Sequence, residues 1–197
     1  MYWFRLNIPL LIVDCEKIFN MKSLCKLLAF GFAVFFASAT VTAQIPGPTA
    51  EHAKWKPYVG KWNFELTDSE NQVSKGTNET VEACGGLWFV TTMDTNMAGL
   101  PFQGKGLDGY DPEKKKYISV WVDSFTASPM IFEGEYDKAG KVLTMLCEGK
   151  DPTSGGPATW RSTSEFLSKD EYRFVMFVKP KDGKEQQMMT VIYKRAK

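Results

Sequence analysis

From Gly60 to Lys197 the chain repeats one theme: short runs rich in β-branched and aromatic residues, each closed by Gly, Pro, Asn or Asp. Such runs predict strands, because these side chains suit a pleated, half-buried surface and the closing residues supply turn geometry. The predicted strands are 61–68, 74–84, 87–96, 102–110, 116–123, 129–136, 142–148, 158–166, 171–178 and 188–195. The breaks between them, such as Asp68-Ser69-Glu70-Asn71, Gly85-Gly86, Asp111-Pro112 and Lys181-Asp182-Gly183, are short. Parallel neighbours would need crossovers of about a dozen residues or more, so the strands are expected to pair antiparallel. The one helical candidate is 49–58, where Thr49 can cap the next turn and Pro57 marks the exit. The expectation is an all-β fold, a closed antiparallel up-and-down barrel of about ten strands with a short N-terminal helix, since closure removes exposed edges. A two-sheet sandwich is the alternative.

The N-terminal pattern differs. Lys22 and Lys26 precede an apolar stretch, Leu27 to Ala37, and Val41-Thr42-Ala43 places small residues before Gln44. This reads as a signal peptide over 21–43 starting at Met21, with 1–20 an over-extended gene start. The apolar run of about a dozen residues falls short of the ~20 needed to span a bilayer, so no membrane span is expected in the mature form. Residues 44–59 form the segment carrying the helix and 60–197 the barrel. The expected location is periplasmic or secreted.

Charge narrows the partners. Removing Arg5, Lys17, Lys22, Lys26, Asp14 and Glu16 with the leader leaves about 20 basic against 21 acidic residues, a neutral balance unlike that of a nucleic-acid binder. Lys114-Lys115-Lys116 follows Asp111-Pro112-Glu113 and reads as a solvated hairpin tip. Cys84 and Cys147 remain in an exported chain, either as a disulfide or as free thiols. His52 is the only histidine. A His-rich zinc site is therefore impossible, and its place outside the strands suits packing at the barrel mouth better than haem ligation. No metal and no cofactor are expected. Gly104-Lys105-Gly106-Leu107-Asp108-Gly109 has the spelling of a dinucleotide fingerprint, but Tyr110-Asp111-Pro112 is a turn where that motif needs a helix. Glycines at a bend of a barrel strand explain the run.

Gly60-Lys61-Trp62 opens the first strand and Tyr193-Lys194-Arg195 closes the last. In a closed barrel these strands are neighbours, so Arg195 can lie over Trp62 and plug one end. Here the chain resembles the calycin superfamily of lipocalins and fatty-acid-binding proteins, which use a Gly-x-Trp and a late Arg in this way. It also resembles a bacterial family of exported domains without an assigned function, through Glu51-His52, Gly60-Lys61-Trp62, Gly85-Gly86, Pro101-Phe102-x-Gly104, Gly109-Tyr110-Asp111, Trp121-x-Asp123-Ser124 and Tyr193-x-Arg195. That resemblance implies the barrel and leaves the activity open.

Tyr117, Ser119, Trp121 and Asp123 share one face of their strand, and Ile118, Val120 and Val122 the other. If the aliphatic face is the core, Trp121 and Asp123 are surface residues; the family resemblance, whose pattern retains both, implies the first face as the inner one. Arg161, alternating with Thr159, Thr163 and Glu165, is a candidate to meet Asp123 across the interior, or else an exposed cross-strand pair; Glu133 and Glu148 are weaker candidates for the polar role. Surplus aromatics and methionines suit an adaptable apolar lining. The leading expectation is a barrel binding a small apolar or amphipathic molecule, with Trp88, Trp121, Met130, Phe132 and Met176 as wall and Asp123 with Arg161 as polar anchor. Two other readings stand beside it: an enzyme using Asp123 for acid–base chemistry, with no second catalytic residue to place, and a structural envelope protein with a filled barrel.

Overall fold

The computed structural model describes residues 47–197. The leader expected at 21–43 and the extension 1–20 lie outside the described residues. A short helix α1 (Ala50–Ala53) and a 3₁₀ turn (Lys56–Tyr58) lead into ten strands: β1 (Gly60–Asp68), β2 (Val73–Ala83), β3 (Trp88–Met97), β4 (Leu100–Asp111), β5 (Lys116–Asp123), β6 (Met130–Tyr136), β7 (Val142–Lys150), β8 (Pro157–Ser168), β9 (Glu171–Pro180) and β10 (Gln186–Arg195). Each strand pairs antiparallel with the next, and β10 returns to β1, closing an up-and-down barrel. The sandwich alternative is thereby set aside. The helix is one turn rather than the whole of 49–58, because Pro57 lacks the amide that would continue it.

Alternation within each strand separates wall from interior. On β1, Trp62, Phe64 and Leu66 are buried while Lys61 and Glu65 are exposed. Closure register then fixes which side chains meet: Trp62 lies opposite Arg195, Phe64 opposite Tyr193 and Leu66 opposite Val191. Because every connection is a hairpin, the starts of odd strands and ends of even ones gather at one end of the barrel. The helix is packed there, and aromatic rings fill that end. Trp62 and Phe89 are fully buried, Tyr172 stacks on Tyr193 with centroids 4.2 Å apart, and Trp55 packs against Tyr58, Phe89 and Tyr117.

Polar atoms at this end are satisfied as burial requires. The Trp62 indole N–H donates to the Tyr58 carbonyl at 2.8 Å, and the Trp55 indole N–H to the Gly109 carbonyl at 3.1 Å. His52 is buried, accepts at Nδ1 from the Thr49 amide at 3.1 Å and meets Tyr110 edge-on. It is a capping and packing residue of the plugged end. Tyr117 donates to the Glu51 carboxylate, which Lys54 also contacts at 2.9 Å; these bonds hold the Glu51 carboxyl below its ordinary range. Cys84 is exposed and Cys147 is buried, both as free thiols.

Candidate functional site: the barrel interior

The interior is layered. Beyond the aromatic plug comes a polar belt contributed by neighbouring strands. Thr80 and Thr91 are cross-strand partners on β2 and β3, with hydroxyls 3.0 Å apart, and Asn78 Nδ2 lies 3.5 Å from the Thr80 hydroxyl. The Thr91 hydroxyl donates to Asp108 Oδ2 at 3.3 Å, and Ser119, the cross-strand partner of Asp108, brings a second hydroxyl to it. Across the barrel, Ser162 and Ser164 face inward from β8. Burial pushes the Asp108 carboxyl up to about 6, against the opposing pull of Ser119 and Thr91. Asp108 is half-buried on the inner face of β4.

The far half is apolar. Met93, Met97, Met130, Met145, Met176 and Met189 all face inward there, joined by Phe102, Trp121, Phe132 and Trp160. Trp121, Met130, Trp160, Met176 and Met189 are only partly covered, whereas Trp62 and Phe89 of the plug are fully buried. Methionine side chains are unbranched and polarizable, so this lining can reshape around different apolar bodies.

Two glycines set the position of Trp121. A Cβ on Gly104 would lie 2.1 Å from Trp121 Cζ2, so the indole rests directly on bare backbone. A Cβ on Gly106 would lie 3.3 Å from Thr91 Cβ, 3.4 Å from Asp108 Oδ2 and 3.6 Å from Trp121 Cε3, so carboxyl and ring both close in on bare backbone there. The glycine run that imitates a nucleotide fingerprint is entirely within β4, where it makes room for tryptophans on both faces: Gly109 does for Trp88 outside what Gly104 does for Trp121 inside.

Of the residues chosen from sequence, Trp121, Met130, Phe132 and Met176 face the interior. Trp88 does not. The inner positions of β3 are Phe89, Thr91 and Met93, which puts Trp88 on the outer surface over Gly109. Arg161 is a second correction. Ala158, Trp160 and Ser162 occupy the inner face of β8, so Arg161 points outward. There it makes a two-pronged pair with Glu185, at 2.8 and 2.7 Å, and lies over the Phe177 ring at 3.9 Å. No Asp123–Arg161 anchor exists. Asp123 is on the inner side of β5 at the rim, but its carboxylate holds the following turn: Oδ1 accepts from the amides of Phe125 and Thr126 at 2.9 Å, and Oδ2 from the Trp121 indole at 3.0 Å. Glu133 and Glu148 are also external, bonded to Lys114 and Thr159. Gly60, at φ +121°, brings the chain into β1 against Arg195, whose guanidinium covers Trp62.

Sequence reasoning passed over Asp108 because it lay inside the rejected glycine motif. The signal was there: Phe102, Gly104, Gly106, Asp108 and Tyr110 alternate on one face of β4, and Asp108 is the only charge among them.

These features define a closed ten-stranded up-and-down barrel with a plugged end, an inner polar belt and an apolar far half. The chain belongs to the DUF1579 family, a protein family of unknown function, whose profile matches residues 47–195. No curated protein matches the chain. Among solved structures it is similar to Rv2717c from M. tuberculosis, at 15% identity and a TM-score of 0.53, covering 76% of this chain and 99% of that one, a likeness of fold. The S-type phycobiliprotein lyase CPES from Guillardia theta aligns at 12% identity and a TM-score of 0.48, over 76% of this chain and 99% of that one. A de novo designed fluorescence-activating β-barrel aligns at 16% identity and a TM-score of 0.42, over 75% and 100%.

Proposed function

We propose that the protein is exported and, once its leader is removed, binds a small, largely apolar molecule inside the barrel. The body of the ligand sits among Trp121, Met130, Phe132, Met176 and Met189, and its polar group meets the belt of Thr91, Asp108 and Ser119. The observation that carries this reading is a contrast within one interior: Trp62 and Phe89 at the helix end are fully buried, whereas Trp121, Met130, Trp160, Met176 and Met189 of the far half keep accessible surface beside the buried Met93, Phe102, Phe132 and Met145. A packed structural barrel has no use for that difference, because voids beside apolar side chains forfeit dispersion contacts. The test is saturable, one-to-one uptake of a neutral fluorescent naphthyl probe, weakened several-fold in Trp121→Ala. A probe that fails to bind the folded protein, together with native mass spectrometry showing no retained molecule, sinks the proposal and favours a filled barrel.

The enzyme reading has a specific observation in its favour, but at Asp108 rather than Asp123. A carboxyl titrating at about 6 is suited to exchange protons near neutrality, while the Asp123 carboxylate is committed to its turn. Turnover of any substrate that vanishes in Asp108→Asn and survives in Asp123→Asn supports it.

A further inference from the structure

The ligand's polar group follows from what surrounds Asp108, an inference that rests on the binding reading above. Among the described residues, the side chains facing Asp108 are neutral. Phe89 and Thr91 approach from β3, Ser119 and Tyr117 from β5, and the phenols of Tyr58, Tyr172 and Tyr193 feel its charge from across the barrel. Near the two ends, Glu82, cross-strand from Phe89, is exposed and has the same sign as Asp108, and the other charged groups are engaged elsewhere. Lys54 is held by Glu51 at 2.9 Å, and Arg195 by the Val59 and Pro57 carbonyls at 3.0 and 2.9 Å and by Asp170 at 3.2 Å. Asp68 accepts from the amides of Glu70 and Gln72, and Asp123 from those of its own turn.

An ionised carboxylate has about four acceptor sites, and two hydroxyls leave some of them open. An enclosed charge without an opposite charge is expensive, so a ligand that brings one gains most by binding here. Gly106, the cross-strand partner of Trp121, lies beside both Asp108 Oδ2 and the Trp121 ring. A ring face beside a carboxylate is a favourable environment for an organic cation.

We infer that the barrel selects a small amphipathic amine, its ammonium group bonded to Asp108 on the side of the Trp121 ring and its apolar body lying among the methionines. A carboxylate-headed ligand would meet repulsion in the same place, and an alcohol would make only a neutral hydrogen bond.

The experiment is calorimetric titration of the purified protein with three matched probes: decylamine, decanol and decanoate. At pH 8 decylamine is expected to bind about tenfold or more tightly than decanol, with decanoate weakest, as a charge-assisted hydrogen bond exceeds a neutral one. Lowering the pH to 5 protonates Asp108 and brings the amine towards the alcohol. Asp108→Asn is expected to lower decylamine affinity about tenfold or more, to the level of decanol; a circular dichroism spectrum and cooperative melting like the parent's show that the variant is folded. Equal binding of amine and alcohol, or a preference that survives Asp108→Asn, overturns the inference and leaves the cavity reading intact. Binding of none of the three overturns both.

Discussion

The guanidinium of Arg195 lies 4.1 Å from the Trp62 ring, joining the last strand to the first across the closure of the barrel. The same group donates to the carbonyls of Val59 and Pro57 and contacts Asp170 in the β8–β9 turn. One side chain thus ties together the barrel seam, the lead-in from the helix and a neighbouring hairpin.

Arg195→Ala is expected to lower stability by about 2–3 kcal/mol, from loss of the cation–π contact and of charged hydrogen bonds to carbonyls left without donors. Arg195→Lys should recover only part of this, since an ammonium cannot lie flat on the indole and reach both carbonyls at once. Urea unfolding followed by tryptophan fluorescence reads both values; full rescue by lysine would contradict the stacking argument.

Asp108 makes stability depend on pH. Its folded carboxyl is raised from 3.8 to about 6, so the folded state favours the protonated form. The associated stability is therefore fully present below about pH 4 and is lost as pH rises through 6. Asp108→Asn should leave the melting temperature nearly unchanged at pH 4 and raise it at pH 7.5, by an amount corresponding to roughly 1–3 kcal/mol. Melting curves across that range check the sign; a variant less stable at pH 7.5 would argue against an uncompensated carboxylate.

Gly104→Ala drives a methyl group into Trp121, whose ring atoms occupy that space. Destabilisation of about 1–3 kcal/mol is expected, with a changed near-ultraviolet circular dichroism signal and weaker probe uptake. The penalty should shrink in a Trp121→Ala background, and a double-mutant cycle measures the coupling. Additive effects would mean that the glycine serves the strand rather than the ring.

Arg161 and Glu185 form a partly exposed pair outside the barrel. Removing it with Arg161→Ala should change stability by less than about 1 kcal/mol, with the difference diminishing in high salt. Probe binding should be unaffected. A marked loss of binding would return Arg161 to the interior.

Much of the architecture is legible in the chain itself. Alternation, turn residues and short connections specify antiparallel hairpins, because side-chain period and turn chemistry are local properties. The Gly60–Trp62 and Arg195 pairing also follows from sequence once closure is assumed, since closure makes the first and last strands neighbours. Which residues face inward on β3 and β8 was decided only by the tertiary structure. Both faces of those strands carry large side chains, Trp88 beside Phe89 and Trp160 beside Arg161, so alternation by itself does not say which is the inner set. A one-residue choice of register exchanges the faces. The pairing of Trp88 with Gly109 and the position of Glu185 beside Arg161 made that choice, and neither is a local property. The same holds for Asp108. Its isolation among hydroxyls and phenols depends on side chains from β3, β5, β9, β10 and the turn before β1, brought together only when the barrel closes.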